Sequence, residues 1–149
     1  MSEHRVRVNW INDSEAFVYD SFNRDHLLTF ENGAEIKASS APSFKGNPDC
    51  VDPEEALVGA LSSCHMLTFL AISAKKRLNV KSYDDDAVGF LEKNADGKLA
   101  VTRAILRPKV VWRGDKTPTS EEIDAIHQKA HGACFIANSI LTEVTIESR

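Results

Sequence analysis

Apolar residues change their spacing along the chain, and each change predicts a change of element. Val6, Val8 and Trp10 alternate with polar positions, the period of a half-covered strand. Phe17-Val18-Tyr19, after the polar turn at Asn12-Asp13, reads as further strand. Leu28/Phe30 and Ile36/Ala38 flank Glu31-Asn32-Gly33, whose Asn-Gly pair tolerates positive φ and marks a hairpin. Pro42, Gly46, Asn47, Pro48 and Asp49 predict a loop from Ala41 to Val51. Alternation then gives way to a nearly continuous run of small and apolar residues, Ala56 to Ala74. Asp52 as N-cap, Pro53 at the first helical position and Glu55 closing a capping box open a helix there. Glu54 and Glu55 suit its positive end and Lys75-Lys76-Arg77 its negative end, so it should run from about Pro53 to about Leu78. Its middle is apolar on almost every face, which requires neighbours all round.

Strand character returns with Val88/Phe90, turns at Asp96-Gly97, and continues through Val101/Ile105 and Leu106/Pro108/Val110/Trp112. Pro108 places the last of these at an edge or a bulge. Pro118 and Thr119 before Glu122 form a second helix start, followed by Ile123, Ile126, Ala130, Ala133 and Ala137 at helical spacing. Val144 and Ile146 make a final strand. The order predicts one α+β domain over residues 1–149: an antiparallel sheet, a long buried central helix and a second helix.

Bulk properties narrow the classes of function. The 149 residues are 42% apolar and 27% charged, the balance of a soluble globular domain. A net charge of −4 without a basic block argues against nucleic acid as a partner. Ser62, Ser63, Cys64, His65, Thr68 and Ser73 interrupt the apolar run, which favours a core helix over a membrane span. The polar start, Met1 to Asn9, has no secretory character, so a cytoplasmic location is expected and the three cysteines should be reduced. No Gly-x-Ser-x-Gly nucleophile or Gly-rich phosphate loop occurs. Asp84-Asp85-Asp86 reads as a solvated loop.

The cysteines therefore carry the question of chemistry. Cys50 lies beside Asp49 and Asp52, whose charges raise a thiol pKa and suppress reactivity. Taken alone, Cys64 in Ser62-Ser63-Cys64-His65-Met66 and Cys134 in His131-Gly132-Ala133-Cys134-Phe135 are ordinary buried filler. As a nucleophile Cys64 would need help, because it sits some three turns into its helix, where the dipole has faded. His127, His131 and Cys134 share a helix face and, with Cys64 or His65, could hold zinc; otherwise the two histidines are partly exposed helix residues. An apolar module binding a hydrophobic ligand, with both cysteines as lining, is a third alternative.

Three separated segments occur in order over nearly the whole chain: Asn23-Arg24-Asp25-His26; Asp52-Pro53-Glu54-Glu55 leading into Ser63-Cys64-His65-Met66-Leu67; and Ala130-His131 followed by Cys134-Phe135-Ile136-Ala137-Asn138-Ser139. On these the chain resembles the OsmC/Ohr superfamily, the osmotically inducible and organic hydroperoxide resistance proteins. The resemblance implies a thiol peroxidase that reduces organic hydroperoxides to alcohols without cofactor or metal. It implies that Cys64 is peroxidatic, that Cys134 resolves it to a disulfide, and that Arg24 and Glu54 orient and activate Cys64. It also implies an intertwined homodimer with interface active sites, and a dithiol or lipoylated-protein reductant. Phe135 stands where the hydroperoxide resistance branch usually has proline, and no glycine precedes Arg24, so the chain is more similar to the OsmC-like side. Ten positions separate Glu54 from Cys64, roughly 15 Å on a straight helix. One arginine cannot easily span that, so Glu54, paired with Arg24, is expected to serve the Cys64 of a second subunit. Met66, Phe69 and Phe135 near the thiol point to alkyl or lipid hydroperoxides over hydrogen peroxide.

Overall fold

The computed structural model describes residues 1–149, which divide into two compact units, Met1–Ala56 and Leu57–Arg149. In the first, β1 (Val6–Asn9), β2 (His26–Phe30) and β3 (Glu35–Ala38) form an antiparallel sheet in that order. The β2–β3 hairpin turns at the Asn-Gly pair, with Gly33 at φ +83°. Phe17-Val18-Tyr19 is not a strand; β1 pairs directly with β2, Val8 opposite Leu28. That segment is held by side chains instead. Phe17 and Phe22 pack against Trp10 and each other, and the Trp10 indole N–H donates to the Asn23 carbonyl at 2.7 Å. Much apolar surface of this unit stays open, Val8 at 63% and Tyr19 at 71% exposure.

The long helix α1 (Pro53–Lys75) begins with the expected capping box. The Glu55 N–H donates to the Asp52 carboxylate at 2.7 Å and the Asp52 N–H to the Glu55 carboxylate at 3.2 Å. It ends short of Leu78, because Arg77 turns left-handed at φ 59°. The Leu78 N–H then reaches the Ser73 carbonyl and the Arg77 N–H the Ala74 carbonyl, a Schellman ending that tucks Leu78 into the core. Along α1 one stripe is fully buried, Leu61, His65, Phe69 and Ser73, while Leu67 is 60% exposed. The expectation of a helix covered on all faces is not met within one chain.

The second unit continues with β4 (Val80–Asp85), β5 (Val88–Lys93), β6 (Leu99–Leu106), β7 (Pro108–Trp112), α2 (Ser120–Ala133) and β8 (Glu143–Ile146). β4 and β7 form a two-stranded antiparallel sheet, so Pro108 lies on an edge where its missing N–H does no harm. β5 and β6 pair antiparallel, and β8 joins β6 in parallel, Ala104 opposite Val144. The class is α+β as expected, but the strands make three sheets and one ladder is parallel. The crossover through β7 and α2 returns the chain in the direction it left, which a hairpin cannot do. Asp84 and Asp85 belong to β4, not to a loop; Asp85 accepts from the Ser62 hydroxyl and from the Arg107 N–H, tying α1 to the strands. α1 packs on β5 so closely that a Cβ at Gly89 would lie 2.5 Å from Val58 Cγ2. α2 opens with the Thr119–Glu122 capping box but stops at Ala133, short of the Ala137 that its apolar spacing suggests.

Candidate active site

Cys64 sits mid-way along α1 and Cys134 is the first residue past α2. The early stop of α2 determines their relation. Cys134 has φ −73° and ψ 115°, an extended backbone that turns the following N–H groups out of the helix direction. The Ala137 N–H donates to the Cys134 sulfur at 3.4 Å, and the amides of Ile136 and Phe135 lower the pKa of the Cys64 thiol. Two polar side chains hold this turn: Asn138 donates to the Gly132 carbonyl at 3.2 Å and the Ser139 hydroxyl to the Phe135 carbonyl at 2.7 Å. Cys134 is fully buried with Leu61, Ala104 and Leu106, and Cys64 packs at the partly exposed border of that cluster. The two thiols act on each other in opposite directions, Cys134 lowering the pKa of Cys64 and Cys64 raising that of Cys134.

Burial alone would raise both thiol pKa values. On Cys64 it is outweighed by the Cys134 thiol, the Ile136 and Phe135 amides and the Thr68 hydroxyl, and the net direction is below the ordinary thiol value. Thr68 has a single proton, which it gives to the Cys64 carbonyl at 2.9 Å or turns to the sulfur. On Cys134 burial prevails, and its bond to Cys64 raises it further. The pair thus favours a proton on the enclosed sulfur and charge on the accessible one, the state in which a thiol is nucleophilic. The amide donors are absent from the sequence reading, because a peptide N–H leaves no residue signature. Asn138-Ser139 after an apolar run was the available sign of a broken helix.

Arg24 and Glu54 belong to the first unit and do not pair there. The Arg24 guanidinium donates to the carbonyls of Tyr19 at 2.7 Å and Phe22 at 2.9 Å, and lies 4.0 Å from the centre of the Phe22 ring. The ion pairs within the chain join Arg5 to Glu3, Lys45 to Asp20, Arg103 to Glu92, Arg107 to Glu147 and Arg149 to Asp84; the expected Arg24–Glu54 pair is not among them. Cys50 has its thiol pushed up by burial and then by Asp25, with Asp49 adding to it and Lys37 opposing. Phe69, expected near the thiol, is instead core, stacked on His127 with ring centres 4.3 Å apart. Phe135 points outward, 81% exposed.

The histidines differ most from expectation. His127 is buried, not partly exposed, and its Nδ1 lies 3.0 Å from His65 Nε2, the two rings stacked at 8°. Burial, followed by the charges of His127 and His131, holds His65 down at about 4. No three His, Cys, Asp or Glu side chains are arranged to hold a metal ion, and the Cys134 sulfur accepts from the Ala137 N–H. The zinc alternative built on His127, His131 and Cys134 therefore has no assembled ligand set.

Known proteins share this framework. An OsmC-like protein of unknown function from Vibrio cholerae has the same fold over the full length of both chains, with 49% identity and a TM-score of 0.96. An uncharacterized protein of Bacillus subtilis is 26% identical over 129 residues, 84% of either chain. An organic hydroperoxide resistance protein from Elizabethkingia anophelis has the fold at 15% identity and a TM-score of 0.73, covering 100% of this chain and 98% of its own. The sequence profile of the OsmC-like proteins matches residues 46–149, and the chain belongs to that family.

Proposed function

We propose that this protein is a thiol peroxidase of organic hydroperoxides, with Cys64 attacking and Cys134 resolving. The observation that carries the proposal is the unequal thiol pair: a partly exposed Cys64 whose pKa is lowered, packed against the buried cluster that holds Cys134, whose pKa is raised. Organic hydroperoxide resistance proteins among the fold's relatives support the same class of reaction. The Cys64 thiolate attacks the outer oxygen of ROOH, the O–O bond breaks, and the alkoxide takes a proton to leave as alcohol. Cys64 is then a sulfenic acid. The Cys134 sulfur bonds to it, and hydroxide departs with the Cys134 proton as water. An external dithiol, small or carried on a lipoylated protein, restores both thiols by exchange.

The working unit in this proposal is a homodimer in the reducing cytoplasm. Open apolar residues on α1 and on the first unit supply surface for such an interface. Glu54 and Arg24 of the partner subunit would complete the site at each Cys64, where the guanidinium orients the peroxide and adds to the hold on the thiolate. In the single chain Arg24 is already anchored through two carbonyls, which fixes its position while leaving its charge uncompensated.

The test is a stoichiometric titration with tert-butyl hydroperoxide. Parent protein should lose two of its three thiols and yield a Cys64–Cys134 disulfide on peptide mapping. Cys134→Ser should stop after one turnover at the sulfenic acid. Peroxide consumption at the parental rate by Cys64→Ser would end the proposal.

A further inference from the structure

Beside the thiol pair, α1 and α2 make a second contact, and it is polar. His65 and His127 are 1% and 2% exposed and share one hydrogen bond of 3.0 Å, within a cluster of Phe69, Ile126 and Ala130. Their outer nitrogens, His65 Nδ1 and His127 Nε2, are buried without partners. Two neutral imidazoles carry two N–H protons, and the shared bond uses one of them. Every tautomer therefore leaves one buried N–H unbonded, which costs stability. Apolar side chains of similar shape would fill the space without that cost.

Stability does not explain the pair, but direction does. An N–H···N bond weakens steeply when its ends slide or rotate, whereas apolar contacts tolerate such movement. His65 follows Cys64 directly on α1. His127 precedes Cys134, the residue that caps α2, by seven positions, about two turns, so the face of α2 that carries His127 also leads into Cys134. The sliding that the histidine bond resists is the sliding that would draw the two sulfurs apart, and a disulfide accepts only a narrow range of Cβ separation and dihedral angle.

We propose that His65 and His127 are positioning residues for the Cys64–Cys134 pair: their hydrogen bond sets the register of α1 on α2 and holds the two sulfurs at bonding reach. The inference rests on the pairing of Cys64 with Cys134 in the proposed function, and is independent of what oxidises them. It makes a specific statement about exchange with dithiothreitol, in which two protein thiols and oxidised dithiothreitol give the protein disulfide and the reduced reagent.

That equilibrium is measured for the full chain carrying His127→Phe, for His127→Asn, whose amide oxygen can stand where Nδ1 stood, and for the double variant His65→Phe with His127→Phe. His127→Phe should shift the equilibrium toward the dithiol roughly tenfold, which is about 30 mV. His127→Asn should recover most of the shift. The double variant leaves no unpaired nitrogen, so it should keep the parental thermal midpoint yet show the same shift, and it stands in for His127→Phe if that protein does not fold. A double variant at the parental equilibrium, or His127→Asn as displaced as His127→Phe, overturns the inference. Because no peroxide is used, a parent that closes its disulfide but ignores hydroperoxide refutes the peroxidase and leaves this inference standing.

Discussion

At position 135 a main-chain group is among those that lower the Cys64 pKa, beside the Cys134 thiol and the Ile136 amide. The Phe135 amide lowers the Cys64 pKa while its ring points outward. Cys134 already has the extended backbone that a residue before proline requires, so Phe135→Pro removes the donor with little distortion of what precedes it. The variant should raise the Cys64 pKa, seen as a later rise of thiolate absorbance at 240 nm, and slow alkylation at neutral pH several-fold. Phe135→Ala, which keeps the N–H, should titrate like the parent; if both variants match the parent, the amide has no hold on the sulfur. Cys64 and Cys134, which the fold brings to one apolar cluster, were singled out by their motifs, although their spacing alone described filler. Their donors were not, since hydrogen bonds from peptide groups depend on where a helix stops.

Helix starts were the most legible elements, because Asp52, Pro53 and Glu55, and likewise Thr119 and Glu122, act through local bonds that the sequence spells out. Helix ends and strand partners were less so. Ala137 continues the apolar spacing of α2, yet Asn138 and Ser139 bond back to Gly132 and Phe135 and break the helix first. The parallel pairing of β6 with β8 depends on a long crossover that no local pattern reports. Where α1 meets α2, the buried histidines make the contact sensitive to acid. His65 is held at about 4, against an ordinary 6.5, by burial first and then by His127 and His131; His127 is lowered by burial against the opposing charges of Asp124 and Asp85. The unfolded chain therefore takes up these protons before the folded one does. Their contribution is complete above about pH 6.5 and is lost as pH falls toward 4. Urea midpoints should fall over that interval in the parent, and fall less in His65→Phe with His127→Phe. Equal slopes in the two proteins would show that other groups set the acid limit.

At the scale of the whole molecule, much apolar surface stays open. α1 is apolar around its middle but fully buried along one stripe, and Val8, Tyr19, Leu67 and Phe135 are all open. Every group that acts on the Cys64 sulfur within the chain, Thr68, Cys134, Phe135 and Ile136, lies in Leu57–Arg149, whereas Arg24 and Glu54 lie in Met1–Ala56. In the proposed homodimer, inactive Cys64→Ser and Glu54→Ala proteins, unfolded and refolded together in equal amounts, should regain roughly a quarter of parental activity, because half the dimers would be mixed and each would have one intact site. No recovery would show that Glu54 does not act across subunits. The turn after Ala133 also bears on how relatives of this protein can diverge. Peptide N–H groups at 135 and 136 give selection no side chain to preserve, only a path for the chain. Any residue but proline supplies the N–H at these positions, so tallies of invariant side chains around Cys64 would pass over part of what lowers its pKa.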